Sequence, residues 1–378
     1  MPNGRTNRPL TDPRFMFKID QLAYLRIIAG EDRSLGALAI RTLLLPAEFI
    51  YTLAMRFRNL AYELKWLKVQ SLEVPVISVG NLTLGGTGKT PLVAWLARFF
   101  RGHNMRVTII SRGYGAAESS RNDEARTLER LLPDVPHLQN PDRLAAAEVA
   151  IRELATQVII LDDAFQHRRI ARDLDIVLID ALSPFGFGHV FPRGLLREPV
   201  AGIRRAKVVI LSRADLVDEL TRRRLRDEVL RIHPQAQWAE VCHVPTCLVA
   251  ANGEETALET LRGQRVAAFC GIGNPEGFRQ TLLRLNYDLV DFRIFPDHHP
   301  YTREDLEELT RWLERIKAQV AICTEKDLVK IGLDQLGQIP LWALRVEIEF
   351  LSGREVLEAQ LRPIVERILA TPDPLFST

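Results

Sequence analysis

The segment over residues 80–90, which begins where an apolar run ends, constrains this chain more than any other part of the sequence. It is rich in glycine and ends in lysine and threonine. It reads Gly80, Asn81, Leu82, Thr83, Leu84, Gly85, Gly86, Thr87, Gly88, Lys89 and Thr90. Glycines let backbone N–H groups approach phosphate oxygens, the lysine can reach between the β- and γ-phosphates, and the threonine hydroxyl can ligate Mg²⁺. We therefore predict that residues 83–90 bind a magnesium nucleoside triphosphate between a strand and a helix.

The loop departs from the strict pattern G-x-x-x-x-G-K-[ST], which would place a glycine at position 83. Thr83 stands there, so the match is to the variant form G-G-x-G-K-T. Partitioning and metal-chaperone ATPases with this variant carry a lysine just before the two glycines, where this chain has Leu84. A P-loop ATPase of that type is therefore the weaker alternative.

Two adjacent carboxylates, Asp162 and Asp163, end a second apolar run over residues 158–161. A buried strand has little reason to end in adjacent acids unless cations neutralise them. The alternative is a helix cap or a solvated turn, which the phosphate loop disfavours. We predict that both aspartates and Thr90 hold magnesium.

The segment Ser212-Arg213-Ala214-Asp215 faintly resembles the N/T-K-x-D motif that reads guanine, but two of its defining positions differ. We expect Asp215 to cap a helix and do not infer GTP.

Short apolar runs alternate with amphipathic stretches from residue 71 onward, which predicts an α/β fold with a P-loop parallel sheet covered on both faces. The predicted strands of this part are 74–80, 105–111, 158–162, 175–180 and 207–212, and the helices are 89–101, 142–156 and 218–232. A second, smaller α/β unit follows, with strands 265–270, 288–294 and 319–324 and helices 275–286 and 302–317.

Segments 240–250 and 341–350 bracket the smaller unit and are predicted to pair as a two-strand connector about which the units hinge. The resulting division has four parts: an N-terminal helical segment 1–70, a nucleotide-binding domain 71–240, the smaller domain 241–350, and a C-terminal helix in 351–378 that returns to the nucleotide-binding domain.

Charge and cysteine content argue against a nucleic-acid-binding protein and against a zinc-cluster protein. The 50 basic and 48 acidic residues give a net charge of +2, which disfavours a nucleic-acid partner. The four cysteines form no C-x-x-C pair, which disfavours a zinc cluster and fits a reducing compartment. No signal-peptide pattern begins the sequence, so we expect the chain to stay in the cytoplasm.

The first seventy residues carry eleven Lys and Arg against six Asp and Glu. Within them, residues 34–55 are nearly long enough to span a bilayer, but Arg41, Pro46 and Glu48 interrupt the apolar run. Two interpretations are equally supported: an interfacial helix lying in anionic headgroups, and a helical hairpin packed on the next domain.

Seven blocks, taken in order over roughly residues 20–350, resemble the tetraacyldisaccharide 4'-kinase (lipid A 4'-kinase) family. They are Val79–Pro91, Ser111–Gly115, Asp162–His167, Pro192–Pro199, Gly271–Pro275, Asp297–His299 and Thr324–Asp327. The resemblance implies transfer of the ATP γ-phosphate, with Mg²⁺, to the 4'-hydroxyl of an acylated disaccharide 1-phosphate, which gives lipid IV(A). It also implies peripheral association with the cytoplasmic face of the inner membrane, and it leaves the oligomeric state open.

The resemblance further implies roles for single residues. Asp123 and His298 match a base dyad, in which the aspartate accepts the proton and the histidine orients or relays it. Taken alone, Asp123 would be a helix cap and His298 a surface histidine. The residues matching polar positions around the phosphates or the sugar are Arg112, Arg143, Gln166, His167, Arg197 and Glu198, and Glu198 would assist the metal or hold an arginine. From its own neighbours, a glycine on each side, Tyr114 could either stack on a base or fill the end of the strand. A nucleotide switch without phosphotransfer is a further alternative.

Overall fold

A computed structural model of the chain describes residues 21–113 and 123–371. Its strands are β1 Val76–Asn81, β2 Val107–Ser111, β3 His137–Gln139, β4 Val158–Asp162, β5 Leu174–Asp180, β6 Val208–Ser212, β7 Gln237–Val249, β8 Glu255–Thr256, β9 Arg265–Cys270, β10 Asp288–Ile294, β11 Val320–Thr324, β12 Gln335–Leu336 and β13 Ile339–Ser352. Its helices are α1 Gln21–Ala29, α2 Leu35–Glu63, α3 Lys89–Gly102, α4 Asp123–Leu131, α5 Arg143–Glu153, α6 Glu219–Ile232, α7 Pro275–Arg284, α8 Arg303–Arg315, α9 Glu325–Ile331 and α10 Arg354–Ala370.

The nucleotide lobe, as we call strands β1–β6 with helices α3–α6 and α10, is built on parallel strands in the order β3-β2-β4-β1-β5-β6. Every residue of β1, β2, β4 and β6 is buried. Burial on both faces explains why these strands are continuous apolar runs, and the predicted parallel α/β fold is confirmed.

The smaller lobe, as we call strands β9–β11 with helices α7–α9, continues the same sheet in the order β10-β9-β11-β13. Strands β13 and β7 pair antiparallel, for example Ala343 with Val249 and Phe350 with Val241, so the predicted pairing of the two long segments is present. Backbone hydrogen bonds therefore run unbroken from one lobe to the other. The domain boundaries drawn above remain predictions.

Helix α10 returns to the nucleotide lobe. Its Leu357, Leu361 and Ile368 belong to the same buried cluster as Leu92 and Leu96 of α3. This contact is the one expected for the C-terminal helix.

Helix α2 has two different faces. On one, Glu48 accepts hydrogen bonds from His189 Nδ1 (3.1 Å) and from the Val190 amide (2.9 Å). Arg41 on the same helix donates to the Ile27 carbonyl of α1 at 3.0 Å, so the two helices form a hairpin. On the other face large apolar side chains are exposed, Leu43 by 77% and Phe49 by 68%. By length and composition α2 could cross a membrane.

Candidate active site

The phosphate loop connects β1 to α3 at the carboxyl edge of the parallel strands. Gly85 and Gly88 have φ of +103° and +82°, a region that only glycine adopts readily. A Cβ added to Gly88 would also lie 2.4 Å from the imidazole of His243. The glycines are therefore required by conformation and by space, and the loop ends at the N-terminus of α3, where backbone N–H groups are available to an anion.

Lys89, at the end of this loop, is held by two polar side chains. Its Nζ lies 3.3 Å from Asp163 Oδ1 and 3.4 Å from Asn81 Oδ1. Arg197 Nη1 donates to both oxygens of Asp163 at 2.8 and 2.9 Å. Burial alone would raise the pKa of Asp163, but the charges of Lys89 and Arg197 outweigh it and hold that pKa well below its ordinary value. Asp163 thus stays ionised and positions the Lys89 and Arg197 side chains beside the loop, and its ligation of magnesium stays a prediction.

Asp162 and Thr90 supply hard oxygen donors of the kind magnesium prefers. Asp162 is buried at the end of β4, opposite Val79 of β1, and Thr90 is buried in the first turn of α3. Residues 21–113 and 123–371 contain no group of three or more His, Cys, Asp or Glu that could enclose a metal. A magnesium ion that takes most ligands from phosphate and water fits this donor set.

The carboxylate of Glu198 accepts hydrogen bonds from three other side chains. It is fully buried and accepts from Arg205 Nη2 at 2.7 Å, Gln166 Nε2 at 3.0 Å and Asn59 Nδ2 at 3.0 Å. Burial raises the pKa of Glu198, but the hydrogen bond and charge of Arg205, with the two amides, bring it below the ordinary value. These contacts favour the arginine-holding role over metal ligation.

Two residues expected near the substrate contact the strand ends beside the phosphate loop instead. Arg143 is buried, and its Nη2 donates to the carbonyls of Asp162 and Asp163 at 3.1 and 3.0 Å. Gln166 Nε2 donates to the Asn81 carbonyl at 2.9 Å. In this structure both side chains hold the carboxyl ends of β1 and β4, so direct substrate contact by them stays a prediction.

The other two residues expected near the substrate differ in exposure. Arg112 is exposed just after β2. His167 is partly buried; its Nε2 has no hydrogen-bond partner within the described part of the chain, and burial, followed by the charges of Arg143 and Arg172, lowers its pKa to about 4. A neutral imidazole close to several guanidinium groups therefore lies a few residues beyond the carboxyl end of β4.

His298 lies in the loop after β10, with φ of +59° and an amide that donates to the Gly271 carbonyl at 3.2 Å. Its side chain is 56% exposed, and its Nε2 is 3.9 Å from Asp297 Oδ1. Asp123 is the first residue of α4, and its side chain, like the whole of Tyr114, lies outside the described residues. The dyad therefore stays a prediction.

Two contacts to the phosphate loop come from residues that the sequence pattern left without a role. Ser212 Oγ donates to the Thr87 carbonyl at 2.7 Å, and Arg213 donates to the Gly86 carbonyl at 3.2 Å. The sequence signal that could have identified both residues is their position at the carboxyl end of a parallel strand, where open α/β sheets bind ligands. The expectation for Asp215 is wrong: Asp218 caps α6 by accepting from the Thr221 amide, whereas Asp215 pairs with Arg284.

A glycine-lined loop between a parallel strand and a helix, with its lysine anchored beside a carboxylate-bearing strand end, defines a P-loop nucleotide-binding protein. The sequence profile of the family described as tetraacyldisaccharide-1-P 4'-kinase (LpxK) matches residues 40–366. The chain belongs to this family, and the match does not support the partitioning-type ATPase.

Relatives that carry the name tetraacyldisaccharide 4'-kinase are similar to this chain over most of its length. A tetraacyldisaccharide 4'-kinase of Anaeromyxobacter sp. (strain K) is 39% identical over 363 residues, covering 90% of this chain and 94% of that protein. One from Halothermothrix orenii is 34% identical, covering 86% of this chain and 93% of that protein. The crystal structure of LpxK from Aquifex aeolicus in complex with ATP superposes with a TM-score of 0.69 at 30% identity, covering 86% of this chain and 99% of that one.

Proposed function

We propose that this protein transfers the γ-phosphate of ATP to the 4'-hydroxyl of a tetraacyldisaccharide 1-phosphate and so forms lipid IV(A) in lipid A biosynthesis. Membership of the family supports the reaction. The observation that carries the proposal is that the nucleotide site and an exposed apolar helix are joined directly. Tyr51 of α2 donates to the Arg197 carbonyl at 3.2 Å, and Arg58 donates to the Gln166 carbonyl at 2.6 Å. A water-soluble phosphate donor and a lipid acceptor can therefore meet at one edge of the molecule.

Residues 83–90 hold the triphosphate through backbone N–H groups, and Lys89 neutralises charge between the β- and γ-phosphates. Arg197 lies close enough to Lys89, through their shared partner Asp163, to face the same phosphates. Thr90 and Asp162 would hold Mg²⁺, which when bound would supply charge neutralisation for the transferring phosphoryl group.

Asp123 accepts the proton of the attacking 4'-hydroxyl, and His298 orients that carboxylate or relays the proton. The loop of His298 supports this role by its position. A Cβ added to Gly273 would lie 2.7 Å from the Gly86 nitrogen and 3.0 Å from Asp297 Oδ2, so the residue before His298 lies close to the phosphate loop.

Helix α2 lies on the cytoplasmic surface of the inner membrane, with its apolar side chains directed into the lipid. Its opposite face contacts protein at Arg41, Glu48 and Asn59, near both ends and in the middle of the helix, which favours lying over crossing. Exposed Trp66, with Lys65 and Lys68 beside it, suits the headgroup region.

The test supplies purified full-length protein with ATP, Mg²⁺ and a tetraacylated disaccharide monophosphate in detergent micelles. We expect the bisphosphate product, resolved by mass spectrometry, and no product from Asp162→Asn. Leu220→Glu, a change at an exposed residue of α6, is the matched control and should retain activity. Turnover of ATP without any bisphosphate would overturn the proposal.

A further inference from the structure

Residues at the carboxyl ends of β5 and β6 support the phosphate loop, and they have no part in the reaction described above. Ser212 and Arg213 contact the loop, and Asp180 contacts Arg213. We propose that Arg213 is a positioning residue for this loop, and that Asn274 of the smaller lobe completes its support. The loop then takes its phosphate-binding shape only when the smaller lobe is packed against it. The inference rests on the proposed function only in assuming that the loop binds ATP.

Two carbonyl groups of the loop point toward β6. Arg213 donates to the Gly86 oxygen through both Nη1 and Nη2, each at 3.2 Å, and Ser212 Oγ donates to the Thr87 oxygen at 2.7 Å. In a planar trans peptide the N–H points opposite to the C=O. Fixing these two carbonyls therefore turns the amides of Thr87 and Gly88 away from β6, where successive N–H groups form an anion-binding concavity.

Arg213 is itself fixed by a buried ion pair. Its Nη1 lies 2.6 Å from Asp180 Oδ2, and both residues are less than one tenth exposed. A buried pair of this kind is favourable only when its remaining hydrogen-bonding positions are filled. The nucleotide lobe supplies one donor to Asp180, the Leu182 amide at 3.1 Å from Oδ1.

The smaller lobe supplies the other donor. Asn274 Nδ2 donates to Asp180 Oδ2 at 3.0 Å, while Asn274 Oδ1 accepts from the Gly277 amide at 2.9 Å as the N-cap of α7. Because the cap fixes the side-chain amide, Asn274 reaches Asp180 only while the smaller lobe stays in place. Movement of that lobe would remove a hydrogen bond from a buried carboxylate and loosen Arg213.

The packing at this point involves backbone directly. A Cβ added to Gly273 would lie 2.7 Å from the Gly86 nitrogen and 3.3 Å from the Gly85 Cα. The two loops therefore touch without intervening side chains, and a shift of one lobe acts on the phosphate loop at once.

Asn274→Asp tests the proposal, because it keeps the capping oxygen but replaces the donor with a carboxylate facing Asp180. We measure the Kd of a non-hydrolysable ATP analogue with Mg²⁺, without lipid, by calorimetry on the full chain. Loss of a hydrogen bond to a charged group should raise this Kd about tenfold.

Arg284→Ala is the matched control, since Arg284 Nη2 also crosses between the lobes, to the Asp215 carbonyl at 2.9 Å. Within residues 21–113 and 123–371, Arg284 makes no hydrogen bond to the phosphate loop. The Kd of this variant should stay within about twofold of the parent. An unchanged Kd in Asn274→Asp, or an equal loss in Arg284→Ala, would overturn the proposal. If Asn274→Asp melts below the assay temperature, Asn274→Ser, which also caps a helix, replaces it with the same expected result.

The readout separates this proposal from the kinase assignment. Tight analogue binding without lipid phosphorylation by the parent chain would contradict the kinase assignment alone. Normal lipid phosphorylation with an unchanged Kd in Asn274→Asp would contradict the role of Asn274 alone.

Discussion

The exposed face of α2 gives a membrane-binding prediction whose size follows from side-chain exposure. Moving a whole Phe or Leu side chain out of water contributes about 1.5–3 kcal/mol. Phe49 is 68% exposed, so about two thirds of that, roughly 1–2 kcal/mol, is available for transfer into lipid. Phe49→Glu should therefore weaken binding to vesicles about 5- to 30-fold, and Leu43→Glu should have an effect of similar size.

The assay is co-flotation with vesicles of anionic phospholipid across a range of lipid concentrations. Leu220 is 72% exposed on α6, so Leu220→Glu introduces the same charge and should bind vesicles like the parent chain. Melting temperatures of all three variants should stay near that of the parent because the replaced side chains face solvent. Equal flotation of Phe49→Glu and Leu220→Glu would refute the reasoning, since α2 would then not be the surface that meets lipid.

Three further predictions concern the site. Glu198→Gln should lower activity through the loss of its charge to Arg205 without changing the Mg²⁺ concentration needed for half-maximal rate; a clear rise in that concentration would show that Glu198 ligates the metal. Asp123→Asn and His298→Ala should each reduce kcat about 10²- to 10⁴-fold while ATP-analogue binding is kept, and full activity in either would remove that residue from the dyad. His167 has its pKa lowered to about 4 from an ordinary 6.5, so the unfolded chain binds the proton more readily than the native protein and stability should fall as pH drops from about 6.5 toward 4; His167→Gln should flatten the melting temperature over this window, and an unchanged slope would contradict the assignment.

Local sequence was sufficient for the parts of the site that a strand and the following turn determine. Residues 83–90 follow the buried strand β1, Asp162 and Asp163 lie at the end of the buried strand β4, and the carboxyl ends of parallel strands meet at one edge. The β7–β13 pairing was also predictable, because both segments are extended and bracket a complete α/β unit.

The side-chain partners could not be predicted in the same way, because they depend on residues far apart in sequence. Glu198 is held by Asn59, 139 positions away, and Arg213 contacts Gly86, 127 positions away. For residues 34–55, the structure shows the hairpin of α2 with α1 and an exposed apolar face on the opposite side of the same helix, while contact of that face with a membrane stays a prediction. Periodicity shows that a helix has two faces but does not identify what each one contacts.

The attachment of α2 to the catalytic loops also limits how far the reaction can lie from lipid. A helix with its side chains is about 10–12 Å across, and Tyr51, Arg58 and Asn59 join its inner side to residues 166, 197 and 198. Under the proposed function, the sugar would therefore be phosphorylated while its acyl chains remain anchored in the bilayer. Turnover should then follow the mole fraction of acceptor in the surface, as in two-dimensional kinetics, and should fall when inert lipid dilutes that acceptor at constant bulk concentration.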